Sequence, residues 1–177
     1  MKPLTIGIIG AGRIGKLHAE NLMTRVKGAK LKAVTDPFLD EKWALSKGIP
    51  VTGKDHRIIL DDSEIDAVLI CSPSPQHAQQ INECAQVGKH IFCEKPIALD
   101  PEVIKNSISV VEKEDVKLQV GFNRRFDPSF ASVREKVSSG ALGDPHSIRI
   151  ISRDPAPPPP DYVASSGGLF LDMAIHD

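Results

Sequence analysis

Short apolar runs alternate with segments of helical periodicity from the start of the chain. Leu4 to Ile9 is an apolar run that ends at a glycine. Arg13 to Met23 follows, with Ile14, Leu17 and Leu22 at helical spacing. Leu31 to Thr35 predicts a second strand and Lys42 to Lys47 a short helix. Ala67 to Cys71 is apolar without interruption, as suits a fourth strand buried on both faces. Pro75 opens a helix that runs to Val87 and stops at Gly88. His90 to Cys93 predicts a fifth strand, Asp100-Pro101 the cap and first residue of another helix, and Val116 to Val120 a sixth strand. Strands alternating with helices imply parallel βαβ units, so the pattern predicts an α/β fold built on a doubly wound parallel sheet.

The rhythm changes after Gly121. Phe130 to Val137 predicts a helix, and His146 to Ser152 alternates like a strand. Pro155 to Pro160 is almost all proline, which favours an extended connection. Leu169 to Asp177 turns helical with no glycine cap or basic residue to close it. The reading is one nearly complete sheet domain followed by the beginning of a second domain that is cut short.

Composition adds little to this picture. The 177 residues carry 22 basic and 23 acidic side chains, a net charge of -1, with 41% hydrophobic and 25% charged residues. No basic run points to nucleic acid or an anionic membrane. No apolar stretch reaches membrane-spanning length, and no signal-peptide pattern precedes Leu4. Cys71, Cys84 and Cys93 are odd in number and lack metal-ligand spacing, so the expectation is a reducing, cytoplasmic setting with no metal site. Cys71 and Cys93 lie near strand ends, where they read as packing residues, as do His18 and His90.

Candidate chemistry starts at the first turn. Gly10-Ala11-Gly12-Arg13-Ile14-Gly15 is a G-x-G-x-x-G motif that follows a strand, opens a helix and has an acidic residue, Asp36, at the end of the next strand. Gly10 permits the tight turn, Gly12 lets backbone approach a pyrophosphate, and Gly15 lets the helix pack closely on the strand. The N–H groups at the helix start can then hold the phosphates. This is the pattern of a Rossmann dinucleotide site. Asp36 would accept from the adenosine ribose hydroxyls and repel a 2′-phosphate, and Pro37-Phe38-Leu39 offers no arginine to attract one, so NAD is expected over NADP.

Two further segments carry chemistry. Glu94-Lys95-Pro96 directly follows the fifth strand, at the sheet edge where ligands bind in such folds; standing alone it would be a solvated turn. Asp172 and His176 are four apart on the terminal helical segment, so they share a face; this is either an ordinary surface pair or an oriented acid/base.

Taken with the glycine motif, Glu94-Lys95-Pro96-Ile97-Ala98 and Asp172 with His176 resemble the Gfo/Idh/MocA family of NAD(P)-dependent oxidoreductases, over the whole chain. Gly121-Phe122-Asn123-Arg124-Arg125-Phe126-Asp127-Pro128, Ser152-Arg153-Asp154-Pro155 and Ser166-Gly167-Gly168-Leu169-Phe170-Leu171-Asp172-Met173 resemble its inositol 2-dehydrogenase branch. The resemblance implies that His176 is the acid/base, that Asp172 orients it, and that Lys95 contacts the reacting oxygen. It implies that Cys71, Ser72, Pro73, Gln76, His77 and Glu94 lie along the cofactor, that the Lys95–Pro96 bond is cis, and that Arg125 and Asp154 contact a polyol. It implies residues 1–122 as the NAD-binding domain and 123–177 as the N-terminal part of an α+β substrate and oligomerisation domain. Its members' later sheet is missing, so the 177-residue chain is expected to bind NAD without turnover, while the parent oxidises myo-inositol as a homo-oligomer, a tetramer by analogy. The alternatives are another sugar or polyol dehydrogenase of the family, or a dinucleotide-binding regulatory protein.

Overall fold

The computed structural model describes residues 2–153, 156–158 and 160–176. The chain divides into two compact units, Met1–Gly121 and Phe122–Asp177.

The first unit is a six-stranded parallel sheet with helices between the strands. Its elements are β1 (Leu4–Ile9), α1 (Arg13–Thr24), β2 (Ala29–Thr35), α2 (Glu41–Ser46), β3 (Val51–Gly53), α3 (Arg57–Leu60), β4 (Ala67–Ile70), α4 (His77–Gln86), β5 (His90–Cys93), α5 (Pro101–Lys113) and β6 (Leu118–Val120). The strand order is β3-β2-β1-β4-β5-β6, and every neighbouring pair is parallel. The order reverses between β1 and β4, which makes that gap the ligand crevice of a doubly wound sheet.

Side chains alternate across β1, so Ile8 and Ile9 enter different cores. Ile8 joins Val34, Ala19 and Ala44 beneath α1 and α2. Ile9 joins Ile59, Ile70, Ile81, Ile91 and Val111 beneath α3, α4 and α5. Both faces of the sheet are therefore covered, which is why these strands read as continuous apolar runs. Local signals set the helix ends. Asp100 caps α5 by accepting from the Glu102 amide at 2.8 Å, and Pro101 follows it. Gly88 closes α4 at φ 74°.

The observed elements depart from the pattern in a few places. No run marks β3 or α3, three and four residues long and too short to show a period. The helix expected from Pro75 begins as a 3-10 turn, Ser74–Gln76, and becomes α-helical at His77.

The second unit holds a 3-10 turn at Asn123–Phe126, then α6 (Pro128–Ser138), α7 (Pro160–Ser165), α8 (Leu169–Asp172) and a 3-10 turn at Ala174–His176. Asp127 caps α6 by accepting from the amides of Ser129 and Phe130. The strand expected over residues 146–152 is not formed. A strand needs a hydrogen-bonded neighbour, and no other strand of this unit lies among the described residues; Ile148 stands 78% exposed. Pro155, Pro159 and Asp177 lie outside the described residues, so the proline run and the last position of the terminal segment are not described in full. No helix among the described residues is long and apolar enough to cross a membrane.

The packing of α1 on the turn after β1 yields a stability prediction. A Cβ at Gly15 would overlap the carbonyl oxygen of Gly10, whereas one at Gly12 would meet nothing within 4 Å. Gly15→Ala should therefore cost about 1–3 kcal/mol, because a backbone atom cannot swing aside. Gly12→Ala should leave the unliganded melting temperature unchanged. Thermal unfolding without cofactor compares the two, and equal melting temperatures would contradict the packing argument.

Candidate active site

Four strand ends build the carboxyl edge of the sheet. After β1, Gly10 takes φ 96°, a region that favours glycine, and a Cβ there would lie 2.5 Å from the carbonyl carbon of Cys71. Gly12 is the N-cap of α1 with extended backbone, no side-chain cap and no acidic residue in the first turn. Arg13, Ile14 and Gly15 form that first turn, whose N–H groups have no intrahelical acceptor. The arrangement leaves room and donors for a phosphate.

After β2, Asp36 is fixed at both oxygens. Oδ2 accepts from the Ala11 amide at 2.7 Å and Oδ1 from the Phe38 amide at 2.7 Å. The carboxylate is tied to the glycine loop itself, with lone pairs left to accept two hydroxyls. A lysine does reach this side: Lys16 lies 3.1 Å from Asp40 and 5.0 Å over the Trp43 ring. The same Asp40 caps α2 through the Trp43 amide, and both contacts hold its carboxyl below the usual carboxylate range.

After β4, Cys71, Ser72, Pro73, Gln76 and His77 form a hydrogen-bonded knot. Ser72 Oγ donates to Gln80 Oε1 at 2.5 Å, and Gln80 Nε2 donates to Gln76 Oε1 at 3.2 Å. His77 is buried, with Nδ1 2.7 Å from the Pro96 carbonyl and Nε2 2.7 Å from the Ser72 carbonyl. Gln80 could not be singled out in advance, since its partners are defined only by the turn between Ser72 and α4. Burial pushes the Cys71 and Cys93 thiols far above their ordinary values, with the Glu94 charge adding to both. The same cause pushes the Cys84 thiol up to about 12. Burial thus disfavours the thiolate form at all three.

After β5, Glu94 and the partly buried Lys95 follow in sequence, and the Lys95–Pro96 bond is cis, as the resemblance implied. Glu94 Oε1 lies 2.8 Å from His18 Nε2, and the His18 ring packs edge-on against Phe92 at 5.3 Å. His18 is therefore more than a packing residue. Its partner lies 76 positions away, a distance no local pattern signals. Gly121, at the end of β6, clears the space for Glu94, since a Cβ there would lie 3.0 Å from Oε2.

The second unit holds the other expected residues. Asp172 ends α8 and accepts from the Tyr162 hydroxyl at 2.7 Å, a partner the sequence reading missed. The α-helix does not continue to His176. Met173 leads into the 3-10 turn, where the His176 amide donates to the Met173 carbonyl at 3.2 Å, so Asp172 and His176 do not lie on one continuous α-helix. His176 lines a cavity of about 470 Å³ with Phe122, Arg124, Arg125 and Arg134. The Arg125 guanidinium stands 5.9 Å over the Phe122 ring, and Arg124 stacks on Phe130 at 5.0 Å while donating to Ser152 Oγ at 2.9 Å. Arg125 and His176 thus share one cavity. Asp154 lies outside the described residues.

Residues 4–122 match a family model described as an oxidoreductase family with an NAD-binding Rossmann fold, and residues 130–177 match the GFO/IDH/MocA C-terminal domain. The chain is 49% identical to an uncharacterized oxidoreductase of Bacillus subtilis, across 99% of this chain and 52% of that protein. It is 46% identical to a myo-inositol 2-dehydrogenase of Thermotoga maritima, across 98% of this chain and 52% of that protein. Among solved structures, the scyllo-inositol dehydrogenase of Lactobacillus casei with bound NAD(H) and scyllo-inositol superposes with a TM-score of 0.84 at 39% identity, across 99% of this chain and 54% of that one. The chain spans about half the length of the curated relatives it matches. With both of its units matched in order, it belongs to the Gfo/Idh/MocA oxidoreductase family.

Proposed function

We propose that the protein is an NAD-dependent dehydrogenase that oxidises a ring hydroxyl of a cyclic polyol, myo-inositol to 2-keto-myo-inositol. The observation that carries the reading is the gathering of the glycine turn, Asp36 and Lys95 at one carboxyl edge of a sheet whose order reverses there. The names of the Thermotoga and Lactobacillus relatives support the substrate class. The reading takes residues 1–122 as the cofactor domain and 123–177 as the start of the substrate domain. It also takes the protein as a cytoplasmic homo-oligomer; the three free thiols fit a reducing compartment.

The residues fit the cofactor. Open space over Gly12 admits the pyrophosphate, the first turn of α1 donates to it, and Asp36 accepts from the adenosine ribose. Cys71, Ser72, Pro73 and Glu94 would border its ribose and nicotinamide half. NAD, when bound, supplies the hydride acceptor. In the proposed chemistry His176 takes the proton from the substrate hydroxyl, and Asp172, itself steadied by Tyr162, orients the imidazole. Lys95 donates to the reacting oxygen and stabilises the negative charge that develops on it. Arg125 and Asp154 hold the remaining hydroxyls.

A substrate panel tests the assignment directly. NAD reduction followed by absorbance should be faster with myo-inositol than with scyllo-inositol, glucose or other polyols, and a different preferred sugar would move the protein elsewhere in the family. On the cofactor side, the Asp36 carboxylate should make kcat/KM at least about tenfold higher with NAD than with NADP, roughly 1.4 kcal/mol. Asp36→Ser should narrow that gap, and equal efficiency in the unmodified protein would overturn the role of Asp36. On the chemical side, His176→Ala in the intact protein should lower kcat by about a hundredfold or more. Its affinity for NAD, measured by calorimetry, should hold. Undiminished turnover would remove His176 from the mechanism.

A further inference from the structure

One buried side chain joins the two loops at the centre of this edge, and the chemistry proposed above does not use it. His77 is 1% exposed, and each of its ring nitrogens lies 2.7 Å from a main-chain carbonyl oxygen, Nδ1 from Pro96 and Nε2 from Ser72. A carbonyl can only accept. A neutral imidazole has one N–H, so it can donate to one of these oxygens and must turn a lone pair toward the other. Both contacts are hydrogen bonds only when both nitrogens carry a proton.

The two carbonyls are not equivalent in their settings. Ser72 is anchored, because its hydroxyl is bound to Gln80, which is bound in turn to Gln76 on the same stretch of chain. Pro96 closes the Glu94-Lys95-Pro96 segment, directly after Lys95. His77 therefore links a fixed point beside β4 to the residue that follows the lysine. A ring engaged at both nitrogens has no polar atom to offer a cofactor, which sets His77 apart from the other residues carried over as cofactor contacts.

We propose that His77 is a positioning residue that fixes Lys95 by donating from Nδ1 to the Pro96 carbonyl, with its ring seated against the anchored Ser72 turn. The inference rests on the reading of Lys95 as the donor to the reacting oxygen. Around His77, burial pushes the Cys71, Cys84 and Cys93 thiols up, and Glu94 pairs with His18.

Asparagine places an amide N–H near the position of Nδ1, and glutamine near that of Nε2. In the intact protein, with NAD and myo-inositol as the probes, His77→Leu and His77→Gln should lower kcat by about tenfold or more, the scale of loss expected when a catalytic group is misplaced. His77→Asn keeps the bond to Pro96 and should restore most of that loss. KM for NAD should change little in all three, and melting temperatures report whether each variant folds. Equal kcat for the asparagine and glutamine variants would overturn the proposal. So would a raised KM for NAD at unchanged kcat, which would make His77 a cofactor contact. Nitrogen-15 spectra of the unmodified protein add an independent readout, with a proton expected on Nδ1 of His77, the nitrogen that faces the Pro96 carbonyl; a proton on Nε2 alone would break the link. Absence of inositol-dependent NAD reduction in the unmodified protein would instead refute the functional reading, and the ring-nitrogen spectrum would then decide the link by itself.

Discussion

The carboxyl edge of the sheet depends on how closely α1 approaches the turn that follows β1. The carbonyl of Gly10 occupies the place where a side chain at Gly15 would begin, so helix and turn meet backbone to backbone. That contact fixes the helix axis, and three neighbours then fall within reach of one helix. Lys16 meets Asp40 beyond β2, His18 meets Glu94 beyond β5, and Ala19 is fully buried against the sheet. A few tenths of an ångström of displacement at Gly15 would loosen all of them, because a close-packed interior transmits strain rather than absorbing it. The glycine motif thus serves the sheet as much as it serves a ligand.

The two edges of the sheet use polar groups differently. At the amino edge, Lys89 is buried and donates to the carbonyls of Asp62 and Ile65 at 2.7 and 3.0 Å, while burial lowers its pKa. Lys32 closes the same corner through Asp62 and Glu64, which hold its ammonium above the ordinary lysine value. These charges satisfy loop carbonyls and each other. At the carboxyl edge the polar groups are aimed at open space or at neighbouring loops, as Gly12, Asp36 and His77 show. The difference follows from chain direction: in a parallel sheet every strand delivers its following loop to one edge, so variable chemistry accumulates there.

Much of this was legible in the sequence, and the part that was not has identifiable causes. The glycine turn, Asp36 and the strands around them are local signals, complete within about 30 residues, which is the span of one βαβ unit. Glu94-Lys95-Pro96 was legible because it ends a clear apolar run. Residues 146–152 misled because alternation describes a strand's faces but says nothing of whether a partner strand is present to bond it. Asp172 and His176 were expected on one short helix; the backbone instead runs as a four-residue helix and then a 3-10 turn, a break that composition does not signal. His18 with Glu94, and Tyr162 with Asp172, were invisible because hydrogen bonds between side chains distant in sequence leave no period.

The way Asp36 is held bears on how such a site discriminates between dinucleotides. A flexible carboxylate could rotate away from an added 2′-phosphate and lose only its own hydrogen bonds. Asp36 cannot do so cheaply, because its two oxygens accept from the amides of Ala11 and Phe38, one on the glycine loop and one on its own turn. Rotating it would strand both donors, and bonds to a charged acceptor are worth about 1.5–3 kcal/mol each. The negative charge is therefore presented at a fixed place, where in the proposed reading it would accept two hydroxyls or repel a phosphate. On that proposal, specificity comes from rigidity in the unliganded protein: the same bonds that orient Asp36 for the favoured ligand remove its escape from the disfavoured one.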